Sequence, residues 1–209
     1  MIKKIFGFYR LPLYIITNPV DGFYSMKFEN KGTVKMALFN FLLLCIAYAF
    51  TAQYTSIIVI QRHPLGLHTL YESGVILLAL VLFCVANWSV TSLTNGEGRF
   101  KDIIMAVCYS FTPLIITTVV ATIVSRFLAQ EETGFYFMIL SVGLFYFVLL
   151  VFLGLLTVHN YTVVRAILTI GLTFISILII IFLITLLFTL WQQLMHFISS
   201  VYTELIFRT

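Results

Sequence analysis

Four histidines, three cysteines and eight acidic residues are the side chains of this 209-residue chain best suited to do chemistry. Their spacing supports little of it. His63, His68, His159 and His196 are scattered over polar stretches. His63 and His68 share one stretch but lack the further ligands that a zinc site takes. Cys45, Cys84 and Cys108 each lie inside an apolar run, with no CxxC pair and no Cys/His cluster. Neither a disulfide framework nor a metal centre is expected from them. Glu131-Glu132 could begin an EExxxR intramembrane-protease pattern, but Tyr136 stands where the arginine is needed. No HExxH or GxSxG motif occurs. Gly96-Glu97-Gly98 lacks the third glycine and the preceding strand of a phosphate-cradling loop. The chain therefore reads as a non-enzyme with no catalytic residue, cofactor or metal.

The elements around these residues are those of a membrane protein. Hydrophobic residues make up 61% of the chain and charged residues 10%, and mean hydropathy is +1.08. Soluble domains carry about 25% charge, so a single water-soluble domain is excluded. A membrane-crossing helix needs about 20 apolar residues. Five such runs are legible, at about Val34–Tyr54, Ser73–Leu93, Ile103–Ser125, Gly134–Thr157 and Ala166–Trp191. The predicted fold is all-α and polytopic: five transmembrane helices, short loops, and an interfacial amphipathic helix at each end. Residues 1–33 form a basic amphipathic opening segment, 34–191 the five-span domain, and 192–209 a second amphipathic segment. The opening segment has its apolar residues near helical spacing with Lys3, Lys4 and Arg10 between them, suited to anionic lipid headgroups. Arg10, Pro12 and Pro19 break its apolar run, so it is not read as a cleavable signal peptide.

Charge sets the expected orientation. Lys3, Lys4, Arg10, Lys27, Lys31, Lys35, Arg99, Lys101 and Arg165, nine of the twelve basic residues, fall on one side of the membrane. Arg62, Arg126 and Arg208 fall on the other. The positive-inside rule places the nine in the cytoplasm, with a cytoplasmic N-terminus and an exterior C-terminus. The formal charge of +4 then reflects topology, and nucleic acid is not an expected partner.

Within the spans no Asp, Glu, Lys, Arg or His lies near the centre, whereas ion-coupled transporters usually need such groups. Small and hydroxyl residues form stripes instead: Cys84, Asn87, Thr91 and Thr94; Thr118, Thr122 and Ser125; Thr169, Thr173 and Ser176; Gly143 and Gly154. Such stripes join helices, with hydroxyls on backbone carbonyls. Pro113 should kink the third span and free the carbonyl of Tyr109. Two polar stretches could meet a partner. Asn18-Pro19-Val20-Asp21-Gly22-Phe23 reads as a turn in which Asp21, Gly22 and Phe23 are candidate contacts. The loop Thr94–Asp102 offers Asn95, Gly96, Glu97, Gly98, Arg99 and Lys101, with the glycines free to take positive φ in a tight connection.

These same segments carry a family resemblance. The Asn18–Phe23 stretch ahead of the first span, the Ser92–Asp102 loop running into Ala106-Val107-Cys108-Tyr109-Ser110-Phe111-Thr112-Pro113, and the five-span layout together resemble the Yip-one domain family of Ypt/Rab-interacting membrane proteins, in its bacterial branch. Eukaryotic members act in vesicle traffic and carry long polar N-terminal extensions, whereas here 33 residues precede the first span. The resemblance implies a multi-pass protein of the bacterial plasma membrane that scaffolds or helps assemble a membrane complex. Its implied partners are membrane lipids and another membrane protein, such as a component of ABC-type transport machinery. The competing reading is a small-solute or ion transport protein.

Overall fold

The computed structural model describes residues 10–56, 59 and 68–207, without the side chains of 68–70 and 205. Lys3, Lys4, Arg62, His63, Arg208 and the side chain of His68 lie outside the described residues. So does most of the stretch joining the first two spans.

Among the described residues eight α-helices carry the fold: α1 (Arg10–Thr17), α2 (Pro19–Lys27), α3 (Val34–Tyr54), α4 (His68–Leu93), α5 (Phe100–Ser110), α6 (Thr112–Val124), α7 (Thr133–His159) and α8 (Val163–Phe207). A 3-10 turn, Gln130–Glu132, precedes α7. There is no strand among the described residues. Five segments of the described residues are long and apolar enough to cross a membrane: α3, α4, α5 with α6, α7, and α8. The third is the centre of the bundle, with 61% of its most apolar window buried, against 11% for the fifth.

The third span divides at Phe111, two residues before Pro113. Proline is tolerated in the first turn of a helix because that turn's N–H groups have no helical partner. Restarting as α6 therefore costs less than running proline through a helix interior. The carbonyls freed by the break are met. Thr112 Oγ1 donates to Tyr109 O at 2.7 Å, and Asn40 Nδ2 from α3 donates to Cys108 O at 2.6 Å and to Thr112 Oγ1 at 3.1 Å. Asn40 is fully buried. A side-chain amide across the bundle thus completes the broken helix, as membrane interiors require.

Small residues set the helix spacing. A Cβ on Gly143 would lie 1.9 Å from Thr117 Oγ1, so α7 approaches α6 only because no side chain is there. Gly154 receives the ring of Phe23 in the same way. The hydroxyls turn inward to backbone: Thr122 to Thr118 O, Ser125 to Thr122 O, Thr91 to Asn87 O and Thr173 to Thr169 O, all at 2.7–2.8 Å. Between helices, Thr51 and Thr122 share a 2.9 Å bond, and Asn87 Nδ2 donates to Thr173 Oγ1 at 3.1 Å.

Three sequence readings change. The stretch after Asn18 is helix, not turn: Pro19 opens α2 with its fixed φ, and Asp21 lies in the first helical turn, where a carboxylate favours the helix dipole. The opening segment also does more than lie at the interface, since Ile15 and Phe23 are fully buried and α2 packs along α7. Finally, Gln192 starts no new element. α8 runs unbroken for 45 residues, about 68 Å at 1.5 Å per residue. No glycine or proline occurs after Gly171 to stop it.

Candidate functional site

The helix ends that gather beside α2 define the most constrained polar region of the molecule. Two of them close alike. α4 ends with Asn95 at φ 55° and a bond from Gly96 N–H to Thr91 O of 2.8 Å. α7 ends with Asn160 at φ 53° and a bond from Tyr161 N–H to Leu156 O of 3.0 Å. Both are Schellman closures with asparagine in the left-handed position. The expected positive φ thus falls on asparagine, and no described glycine adopts it.

Gly96 and Gly98 serve a different need, which is close approach. A Cβ on Gly96 would lie 2.6 Å from His159 Nδ1 and from the Tyr161 hydroxyl. One on Gly98 would lie 2.6 Å from His159 Cε1 and 2.7 Å from Val158 Cγ1. The loop therefore rests directly on the end of α7. Gly98 N–H donates to His159 Nδ1 at 3.3 Å, and the imidazole stacks on Tyr161 with centroids 5.2 Å apart. His159, expected in a loop, is the last residue of α7 and is buried. Its Nε2 has no hydrogen-bond partner among the described residues.

Further contacts lock the loop in place. The Thr94 and Tyr161 hydroxyls are 2.9 Å apart, and Arg165 donates to Thr94 O while its guanidinium lies over the Tyr161 ring. Asp102, buried at the start of α5, accepts from Arg99 N–H at 3.1 Å and caps that helix. Lys27, the last residue of α2, donates to Val158 O at 2.6 Å and lies 3.9 Å from Glu97. Its charge complements the carbonyl end of α7. Burial holds the Lys27 ammonium below its ordinary pKa, against the opposing pull of Glu97 and Asp102. Nearby, the Tyr109 hydroxyl accepts from Thr33 N–H and donates to Thr33 O, both at 3.0 Å, tying the start of α3 to α5.

The two candidate stretches are therefore joined, but only part of each faces outward. Asn95, Glu97, Arg99 and Lys101 are exposed. Gly96 and Gly98 lie against His159. Asp21 is exposed on α2, whereas Gly22 and Phe23 are buried and cannot meet a partner from outside. Gly22 lies against Ile15 of α1, where an added Cβ would come within 2.6 Å of a side-chain carbon. Tyr109 and Pro113 stand at the helix break. Lys27, Asn40 and His159 were not singled out as site residues. The basic helix end of Lys27 was a usable signal, since lysine favours a helix C-terminus. Among the described residues no group of three or more His, Cys, Asp or Glu is placed to hold a metal ion.

Fold and composition define a polytopic, all-helical membrane protein with a central broken span. A family model for the Yip1 domain matches residues 13–196, and the chain belongs to that family. Comparison with curated proteins and with solved structures finds no match.

Proposed function

We propose that this Yip1-domain protein is a non-catalytic scaffold or assembly factor, docking another membrane protein on the platform made by α2 and residues 94–102. The single observation behind this reading is the fixed loop. Glu97, Arg99 and Lys101 point outward from a backbone clamped by Lys27, His159 and Arg165. A preordered loop loses little entropy on binding, which suits recognition. The excess of basic residues at this end supports reading it as the cytoplasmic face, and the family resemblance supports a bacterial plasma membrane. The family resemblance makes a component of ABC-type transport machinery the first partner to test. A transport pathway is the weaker reading, because the hydroxyl stripes are turned to their own helix carbonyls and leave little polar surface to hydrate a passage.

The test reverses two charges. Full-length chain carrying E97K and R99E is purified gently from native membranes beside the wild type. Co-purification of a membrane partner should fall at least roughly tenfold, the factor that 1.4 kcal/mol commands. Stability should stay within about 0.5 kcal/mol of wild type, as for other surface changes. Identical co-purifying proteins from both chains would overturn the proposal.

A further inference from the structure

A cleft of about 710 Å³ opens where α1, the link between α2 and α3, and the first turn of α3 meet. That volume is in the range of small-molecule sites, about 300–1,000 Å³. Met36 and Tyr109 form its buried lining, and Arg10, Tyr14, Lys31 and Thr33 stand exposed around it. The link is fixed. Asn30 takes a φ of 53°, Lys31 N–H donates to Ser25 O at 3.3 Å, and Gly32 N–H donates to Met26 O at 3.2 Å. Thr33 N–H donates to the Tyr109 hydroxyl at 3.0 Å. The charges on the lining do not balance. Glu29, the one acidic residue there among those described, is already engaged: Lys31 lies 2.5 Å from it, and Ser25 hydrogen-bonds it. Arg10 has no ion-pair partner among the described residues, and those include all eight acidic residues of the chain.

We propose that this cleft binds one phosphate group, carried by a phospholipid headgroup or by a soluble phosphate ester. Arg10 is the anchor. Its planar guanidinium matches phosphate oxygens two at a time, and its charge is not spent on a carboxylate. Lys31 carries three N–H donors, so its bond to Glu29 leaves others for the ligand. The Tyr14 and Thr33 hydroxyls add donors, because neither gives its hydrogen to an acceptor among the described residues. These four groups come from α1 and from the fixed link, so they surround an anion with several acceptor oxygens. Thr33 caps the first span and Met36 lies in its first turn. The cleft is therefore at the edge of the hydrocarbon core, where lipid phosphates lie. This proposal is independent of the docking platform, since neither Asp21 nor any of residues 94–102 lines the cleft.

The experiment has two arms, both on the purified full chain in mild detergent. In the first, native mass spectrometry counts retained lipid after exposure to equal amounts of phosphatidylglycerol and diacylglycerol of identical acyl chains. In the second, the thermal midpoint is followed against glycerol 3-phosphate and against glycerol. A phosphate-dependent effect in the first arm marks a lipid source, and one in the second a soluble ester. The phosphate-bearing compound should be preferred roughly tenfold and saturate at one per chain, with R10Q abolishing the preference. K35Q removes the same charge from an exposed position in the first turn of α3, off the cleft lining, and should keep the preference. Indifference of the wild type to phosphate in both arms, or equal loss in R10Q and K35Q, would overturn the proposal. So would uptake that continues past one per chain, a reading that needs only the wild-type chain and stays decisive if a variant fails to fold.

Discussion

The two ends of the bundle are joined by the same five spans but held by different forces. At the basic end, α4 and α7 finish in matched closures, Gly98 rests on His159, and Lys27 bridges α2 to the last carbonyls of α7. At the opposite end α4 stands away from α6, and the far half of α8 touches little. The third span connects the two regimes: α5 packs firmly against α4, and α6 does not. Apolar contact cannot explain the difference, because both ends are rich in leucine, isoleucine and phenylalanine. In a bilayer, lipid tails satisfy such side chains as well as a neighbouring helix does, so association follows close packing and polar bonds. Helices meet here where a backbone group needs a partner or a glycine opens a notch.

That account predicts which changes matter most. Asn40→Leu keeps the branched heavy-atom shape but withdraws the donor that meets Cys108 O beside the break. Cys108 O is then left with the longer, 3.3 Å bond from Phe111 N–H, and losing the shorter buried bond should cost about 1–3 kcal/mol. The check is a denaturation midpoint in mild detergent, compared with Asn40→Gln, which keeps an amide. Should Asn40→Leu match the wild type, the break is satisfied without α3 and the polar-anchor account of the central span fails. A smaller effect is expected at the loop. Gly98→Ala places a methyl against the His159 ring and Val158 Cγ1, and overpacking costs about 1–3 kcal/mol where neighbours cannot move. A loop can shift, so the cost should be close to 1 kcal/mol, with proteolytic cleavage between Asn95 and Lys101 becoming faster. Gly134→Ala is the control, because nothing lies within 4 Å of a Cβ there. Equal behaviour of the two variants would show that the loop does not rest on α7.

The sequence made some of this contrast legible. The first span was expected at about Val34–Tyr54 and occupies those residues. The other four apolar runs coincide with long helices or, in the third, a helix pair. Composition reports the solvent around a segment, and that information is local. Which residues meet is not local. Asn40 resembled any polar residue in a first span until Pro113, more than seventy positions later, created the carbonyls it serves. His159 looked like a loop residue because its burial depends on Gly96 and Gly98 two spans earlier. The glycines themselves were seen, but their use was not, since φ freedom and absence of a side chain leave the same mark in a sequence. The length of α8 was obscured by the polar pair Gln192-Gln193, which resembles a boundary, although glutamine is a good helix former and does not end a helix.

The smallest effect should come from removing the far part of α8. Residues 192–207 continue the helix well past the ~20 residues that cross a hydrocarbon core of about 30 Å. Leu194, Phe197, Ile198, Tyr202 and Phe207 along it are all exposed. The helix is anchored near its start, where Thr169 and Thr173 are buried and Asn87 bonds to Thr173. Its distal hydroxyls bond only their own preceding turns, as Ser200 does to His196 O and Thr203 to Ser199 O. These bonds form in an isolated helix as readily as in the bundle, so they do not tie α8 to anything. Ending the chain after Trp191 should therefore shift the denaturation midpoint by less than the equivalent of about 0.5 kcal/mol. Thr173→Val, a single change near the anchored end, should cost more than this eighteen-residue deletion, because it removes the acceptor of Asn87 Nδ2 in a buried pair. A tail deletion that destabilises more than Thr173→Val would mean that the distal helix is clamped, and the contrast between a locked end and a bare end would not survive it.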